Sequence, residues 1–146
     1  MIDEKIQHVL SRLEKDIDYE TEHLDEIPSE KRLNCISKNI GMFYNILLKS
    51  INAKNILEIG MSAGYSGLWF ADALMSNKQL NGQIITIDRE EFKIDSARQN
   101  FEEAGVDSLI KIRKGEAREI LREIKDEFNE NYFDFIFIDA DKESYI

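Results

Sequence analysis

Apolar residues recur at three- and four-residue intervals through the first quarter of the chain. Ile2, Ile6, Val9, Leu10, Leu13 and Ile17 fall on one face of a helix. The acids around them, Asp3, Glu4, Glu14, Asp16, Asp18, Glu20, Glu22, Asp25 and Glu26, read as its solvated face. Pro28 followed by Ser29 and Glu30 predicts a break and a new helix start. Ile36, Ile40, Phe43, Ile46 and Leu47 predict the apolar stripe of a second amphipathic helix that ends near Lys49. From Asn55 the period shortens. Asn55–Ile59, Gln83–Ile87, Leu109–Ile112 and Phe133–Ile138 read as strands, and Tyr65–Ser76, Glu90–Ala104 and Ala117–Phe128 read as helices between them. Gly105 is placed to close the middle helix. Strand–helix alternation predicts an α/β fold, a parallel sheet with right-handed crossovers. Phe133–Ile138, the most apolar strand candidate, calls for a neighbour on both sides. Four strands ending so close to Ile146 therefore predict a sheet cut short.

Composition narrows the class. The chain has 146 residues, 42% hydrophobic and 33% charged, with one proline, which suits a folded domain with a real core. The pattern divides it into an N-terminal helical region, residues 1–50, and an alternating region, residues 51–146. No apolar run approaches the roughly 18 residues of a membrane span. The acidic, amphipathic start lacks the basic residues and apolar run of a signal peptide. Cys35 is the single cysteine, so no internal disulfide forms and a reducing cytoplasm is the expected setting. A net charge of −10 disfavours nonspecific binding to nucleic acid or anionic membranes. The only histidines, His8 and His23, lie in the N-terminal segment, which argues against a His-rich zinc site.

Candidate chemistry concentrates where strand Asn55–Ile59 runs into Gly60-Met61-Ser62-Ala63-Gly64 and a helix follows. Such a turn lets backbone approach a ligand, and the helix start presents free N–H groups. The bland alternative is a turn of small residues for packing alone. Gly60-x-Ser62-x-Gly64 also matches the nucleophile elbow of α/β-hydrolases, but no histidine follows Ser62 in the chain to activate it. The dinucleotide fingerprint G-x-G-x-x-G would need glycine at positions 60, 62 and 65, and only Gly60 complies.

The segment Ile56-Leu57-Glu58-Ile59-Gly60-Met61-Ser62-Ala63-Gly64 instead resembles the first motif of class I S-adenosylmethionine-dependent methyltransferases. Two further features sharpen the likeness: Ile84-Ile85-Thr86-Ile87-Asp88 ends a second strand in a carboxylate, and Phe135-Ile136-Phe137-Ile138 runs into Asp139-Ala140-Asp141-Lys142. With Gly64-Tyr65-Ser66, these resemble the cation-dependent O-methyltransferases of catechol and caffeoyl-CoA type, from about Gly41 to Tyr145. The resemblance implies a Rossmann-like class I methyltransferase sheet, truncated after its fourth parallel strand and preceded by helices. It implies S-adenosylmethionine as cofactor, with Glu58, Gly60, Gly64 and Ser66 around the methionine part, Asp88 on the ribose, Gly115 and Ala117 beside the adenine, and Asp141 as a further cofactor-side acid. It implies Asp139 as a ligand of a divalent cation such as Mg²⁺, and Lys142 as the base near the accepting hydroxyl.

Such chemistry is coherent. Methyl transfer to oxygen is an in-line displacement that needs an ionised hydroxyl, and a cation with oxygen ligands lowers the hydroxyl's pKa. The family's further Asp-Asn metal-ligand pair falls after the next strand, beyond Ile146, and one carboxylate alone holds Mg²⁺ poorly. Ile40 stands where the family often has an acid before the glycine matching Gly41, so no cofactor contact is assigned to residues 35–41. The expected acceptor is a small, catechol-like hydroxyl compound. The alternatives are a hydroxylated tRNA base, as in some bacterial relatives, or a non-catalytic cofactor-binding or interaction module. Family members are commonly dimers, so a homodimer packed through the N-terminal helix is a further expectation.

Overall fold

The computed structural model describes residues 1–79 and 81–140. Four parallel strands form one sheet in the order β3-β2-β1-β4: β1 is Asn55–Ile59, β2 Gln83–Asp88, β3 Ile110–Lys114 and β4 Phe135–Ile138. Helix α3, Tyr65–Ser76, follows β1; α4, Glu91–Glu103, follows β2; and α5, Ala117–Glu127, follows β3. The predicted α/β alternation thus stands, and β1 and α3 keep their predicted bounds. Gly105, at φ +70°, follows the last turn of α4 as expected.

Strand alternation sorts the core into two layers. Ile56, Ile84 and Phe137 face α1 (Glu4–Glu22), α3 and α4 on one side, while Leu57, Ile59, Ile85 and Ile87 face Ile120 and Ile124 of α5 on the other. Helix α3 is buried from Tyr65 through Leu74 because α1 and α2 (Lys38–Ser50) cover its outer side.

Helix α1, Glu4–Glu22, buries Ile6, Val9, Leu10 and Leu13 as its spacing predicts. Asp3 caps it, accepting from the N–H groups of Lys5 (3.0 Å) and Ile6 (3.2 Å). The same residue's N–H donates to Asp72 of α3 at 2.8 Å. Asp72, only 2% exposed, also accepts from Asn45 Nδ2 at 2.9 Å and pairs with Lys49 Nζ at 2.8 Å. The N-terminal helices therefore share one core with the sheet.

Two expectations about this region are corrected. Pro28 opens only a short 3₁₀ turn, Ser29–Lys31; residues 32–37 then run as an irregular strap, and α2, Lys38–Ser50, starts at a Ser37 cap. The buried stripe of α2 is also not the apolar one. Gly41, Asn45 and Leu48 face inward, while Ile40, Phe43 and Ile46 are 44%, 61% and 64% exposed. Close packing explains the inversion. A Cβ on Gly41 would lie 2.3 Å from Trp69 Nε1, and Asn45 Nδ2 bonds the carbonyl of Trp69 at 2.8 Å.

Strand β4 is shorter than expected and, among the described residues, stands at the sheet edge. Phe135 and Phe137 pack against Tyr44 and Phe70, but Ile136 and Ile138 on the opposite face are 53% and 50% exposed.

Candidate functional site

Strand pairing carries three loops to one level at the C-terminal edge of the sheet. Gly60 N–H donates to Ile87 O (2.9 Å), Asp139 N–H to Ile59 O (2.8 Å) and Gly115 N–H to Asp88 O (2.9 Å). Between these loops lies a cleft of about 320 Å³. Such a crevice, outside the carboxyl ends of parallel strands, is where open α/β sheets bind ligands. Of the site residues read from sequence, Gly60, Asp88, Gly115, Ala117 and Asp139 line it. An adjoining hollow shares Asn34, Gly60, Ser62 and Asp139 with the cleft and adds Cys35, Tyr65 and Ser66. Asp141 and Lys142 lie outside the described residues.

Asp88 organises the turn after β1. Its Oδ2 accepts from the N–H groups of Met61 and Ser62, both at 3.1 Å, and its Oδ1 from those of Arg89 (2.8 Å) and Glu90 (3.1 Å). One carboxylate thus holds the ends of two strands' loops together. Gly60, at φ +93°, passes so near the Asp139 carbonyl that a Cβ would sit 2.2 Å from that oxygen.

Gly64 makes room for a neighbouring helix. At φ +86° it precedes α3, and a Cβ there would meet the Phe101 ring at 2.6 Å. It is absent from the cleft lining; its missing side chain makes room for α4.

Glu58 is likewise set beneath the cleft. Fully buried, it accepts from Thr86 Oγ1 at 2.6 Å and from the hydroxyl of Ser66. Burial pushes its carboxyl up to about 7, against the lowering effect of the two hydroxyls. Partial desolvation raises Asp139 as well. Burial pushes the Cys35 thiol up to about 11, which keeps it protonated and a poor nucleophile at neutral pH.

The elbow reading fails on geometry too. The Ser62 hydroxyl donates to Leu33 O, while His8 and His23 sit on or beside α1, against Glu103 and Tyr19.

Sequence reasoning missed Leu33 and Asn34 of the strap, and Arg89, Glu90, Lys93 and Glu116 on the rim. Arg89 pairs with Glu116 at 3.5 Å and Lys93 with Glu90 at 3.3 Å, leaving Asp88 and Asp139 as the charge surplus of the lining. A negative, mostly polar cleft suits a cation-bearing ligand. For a metal ion the fit is different: among the described residues no cluster of three His, Cys, Asp or Glu side chains assembles, and Asp139 is the one carboxylate of its loop that falls among them.

The family model for O-methyltransferases matches residues 13–146. The chain belongs to the O-methyltransferase family. It is 42% identical over 110 residues to a catechol O-methyltransferase of Niastella koreensis, covering 75% of this chain and 48% of that protein. It is also 42% identical over 111 residues to a caffeoyl-CoA O-methyltransferase of Medicago sativa, covering 75% of this chain and 43% of the relative. The chain spans about half the length of these curated relatives. An O-methyltransferase from Bacillus cereus, solved in complex with SAH, superposes with a TM-score of 0.70 at 34% identity, covering 97% of this chain and 56% of that structure. The sheet is thus the class I methyltransferase sheet that the glycine motif implied. No helix among the described residues is long and apolar enough to cross a membrane.

Proposed function

We propose that the protein binds S-adenosylmethionine in this cleft and serves transfer of its methyl group to a hydroxyl oxygen of a small, catechol-like acceptor. The observation that carries the reading is the convergence of Gly60, Asp88, Gly115 and Asp139 on one acidic cleft, in a chain of this family. The cofactor, when bound, supplies a methyl group activated by sulfonium charge. This chain's residues bind and orient it. The charge surplus of Asp88 and Asp139 favours a cationic ligand, the Gly60 turn offers backbone at close range, and Leu33 and Asn34 wall off one side from water. Asp88 is the residue proposed at the ribose, and Gly115 and Ala117 form the adenine side. Asp139 as cation ligand and Lys142 as base remain part of the proposal, resting on motif position. Among the described residues Asp139 is the donor this reading offers to a cation, and the remaining ligands of such an ion are not among them.

Calorimetric titration with S-adenosylhomocysteine and S-adenosylmethionine tests the binding. Asp88→Ala is expected to cost about 1–3 kcal/mol of affinity, roughly five- to 150-fold in Kd. Asp134 is the control, because its carboxylate accepts from the N–H groups of Lys54 and Asn55 at the opposite end of β1. Asp134→Ala should leave affinity unchanged. Absence of binding by the folded protein, or equal losses in the two variants, overturns the cofactor site. Transfer of a radiolabelled methyl group to catechol, with and without chelator, tests the rest; binding without transfer would favour a cofactor-binding module.

A further inference from the structure

The strap, residues 32–37, belongs to no helix or strand, yet it supplies Leu33 and Asn34 to the cleft wall. A wall without ladder bonds must be held by side chains. Three sets of bonds do so. Arg32 donates from Nε to Ile27 O at 2.9 Å and from Nη2 to Leu24 O at 2.6 Å, closing the turn that leads into the strap. Glu20, on the last turns of α1, takes two successive backbone N–H groups: Leu33 N–H on Oε2 at 2.6 Å and Asn34 N–H on Oε1 at 3.0 Å. The carbonyl of Leu33, the residue so held, accepts the hydroxyl of Ser62 in the glycine turn.

Both ends of that chain of bonds are in conformations that need holding. Asn34 (φ +50°) and Ser62 (φ +51°) are non-glycine residues in the left-handed region, which most side chains avoid and asparagine tolerates best. The carboxylate gives the strap a fixed partner on a rigid helix, and the strap gives the glycine turn a fixed acceptor. Ser62 is held from its other side by Asp88, which accepts its backbone N–H.

We infer that Glu20 is a positioning residue of the cofactor cleft: by clamping the amides of Leu33 and Asn34 it fixes the cleft wall and, through Leu33 O and Ser62, the glycine turn. This rests on the proposed cofactor reading and adds to it a residue 35 positions before the start of the strand that carries the glycine motif. It does not touch the ligand. It acts by removing the need to order the strap on binding, since a ligand that must first select an ordered wall binds more weakly by the fraction of time the wall is ordered.

The test uses Glu20→Gln, which conserves volume but sets an amide nitrogen against one of the two N–H donors, and Glu20→Ala as the stronger lesion. Glu22→Gln removes the same charge from the same end of α1 at an exposed position. Binding of S-adenosylhomocysteine is measured by calorimetry, thermal unfolding by circular dichroism, and exchange of the Leu33 and Asn34 amides by NMR. The expected result for Glu20→Gln is a Kd raised about tenfold, the scale of reordering one backbone residue on binding, since the amide oxygen still accepts one of the two N–H groups. Strap amides should lose protection while amides of β1 and β2 keep theirs. Glu22→Gln should match the wild type in all three. Unchanged affinity in Glu20→Gln overturns the inference, whatever the strap amides do. So does an equal loss in Glu22→Gln, which would mean charge attraction and not a clamp. A wild type that binds neither S-adenosylhomocysteine nor S-adenosylmethionine fails the proposed function itself, and the inference falls with it; binding by the wild type and both variants alike fails the inference alone.

Discussion

Glu58 offers a quantitative test of how the region under the cleft is built. Its carboxyl lies between β1, β2 and α3 with no exposure, and its two oxygens take hydroxyl hydrogens from Ser66 and Thr86. Those bonds favour the ionised form, but burial outweighs them, and the nearby acids Asp139 and Asp88 add to the rise from 4.5 to about 7. An acid that holds its proton more tightly in the folded chain stabilises the fold at low pH. Its contribution is fully present below 4.5, erodes as pH climbs, and is gone above about 7. The rise corresponds to about 3 kcal/mol, a large share of the roughly 5–15 kcal/mol that holds a domain together. Glu58→Gln removes the titration while keeping shape; the amide accepts from one hydroxyl and donates to the other. Urea unfolding of wild type and variant, run from pH 4.5 to 8.5, isolates the effect, because titrations of the other carboxylates cancel in the difference. The wild type should lose about 3 kcal/mol relative to Glu58→Gln across that range, a midpoint shift of about 1–2 M urea at constant m. Parallel curves between pH 5 and 8 would refute it, and would mean that Glu58 is ionised in the native state throughout.

The other predictions concern packing around the same frame. Gly64→Ala combines a left-handed backbone with a Cβ 2.6 Å from the Phe101 ring, and should cost about 3 kcal/mol by thermal or urea unfolding. Phe101→Leu in the same chain should return part of that loss; a Gly64→Ala protein as stable as wild type would show that the turn is free to shift. Asp72→Ala strands the Asp3 N–H, one of the two Asn45 amide hydrogens and the Lys49 ammonium together, and should cost about 3 kcal/mol. The loss should appear as detachment of α1, read by amide exchange at Ile6 to Leu10, before the sheet opens.

What the sequence revealed and what it hid divide along one physical line. Strand β1 and helix α3 were legible because burial on every side selects for apolar residues, and the turn between them announces itself through glycine at positive φ. Helix α2 was misread for the complementary reason. Periodicity weighs side-chain hydropathy, whereas α2 packs through the absence of a side chain at Gly41 and an amide bridge at Asn45 as well as through Leu48, so Ile40, Phe43 and Ile46 face outward. The acids of α1 mislead in the same way. Asp16, Asp18 and Glu22 are exposed as a charge run predicts, but Glu14 reaches the Tyr65 hydroxyl at 3.0 Å and Glu20 takes the strap amides. Nothing within one turn of helix distinguishes these acids, because their partners return to them only after the chain has folded back. Asp88 shows both sides at once. Its place at the end of β2 was readable as a ligand-facing acid, yet in the fold it accepts four backbone N–H groups and sets the turn that the motif made conspicuous. A motif residue can therefore serve its site by shaping the loop as much as by touching a ligand, and the loss of affinity in Asp88→Ala contains both contributions. The Asp134 and Glu20 variants separate them, since one perturbs a strand end far from the cleft and the other perturbs the wall without altering Asp88.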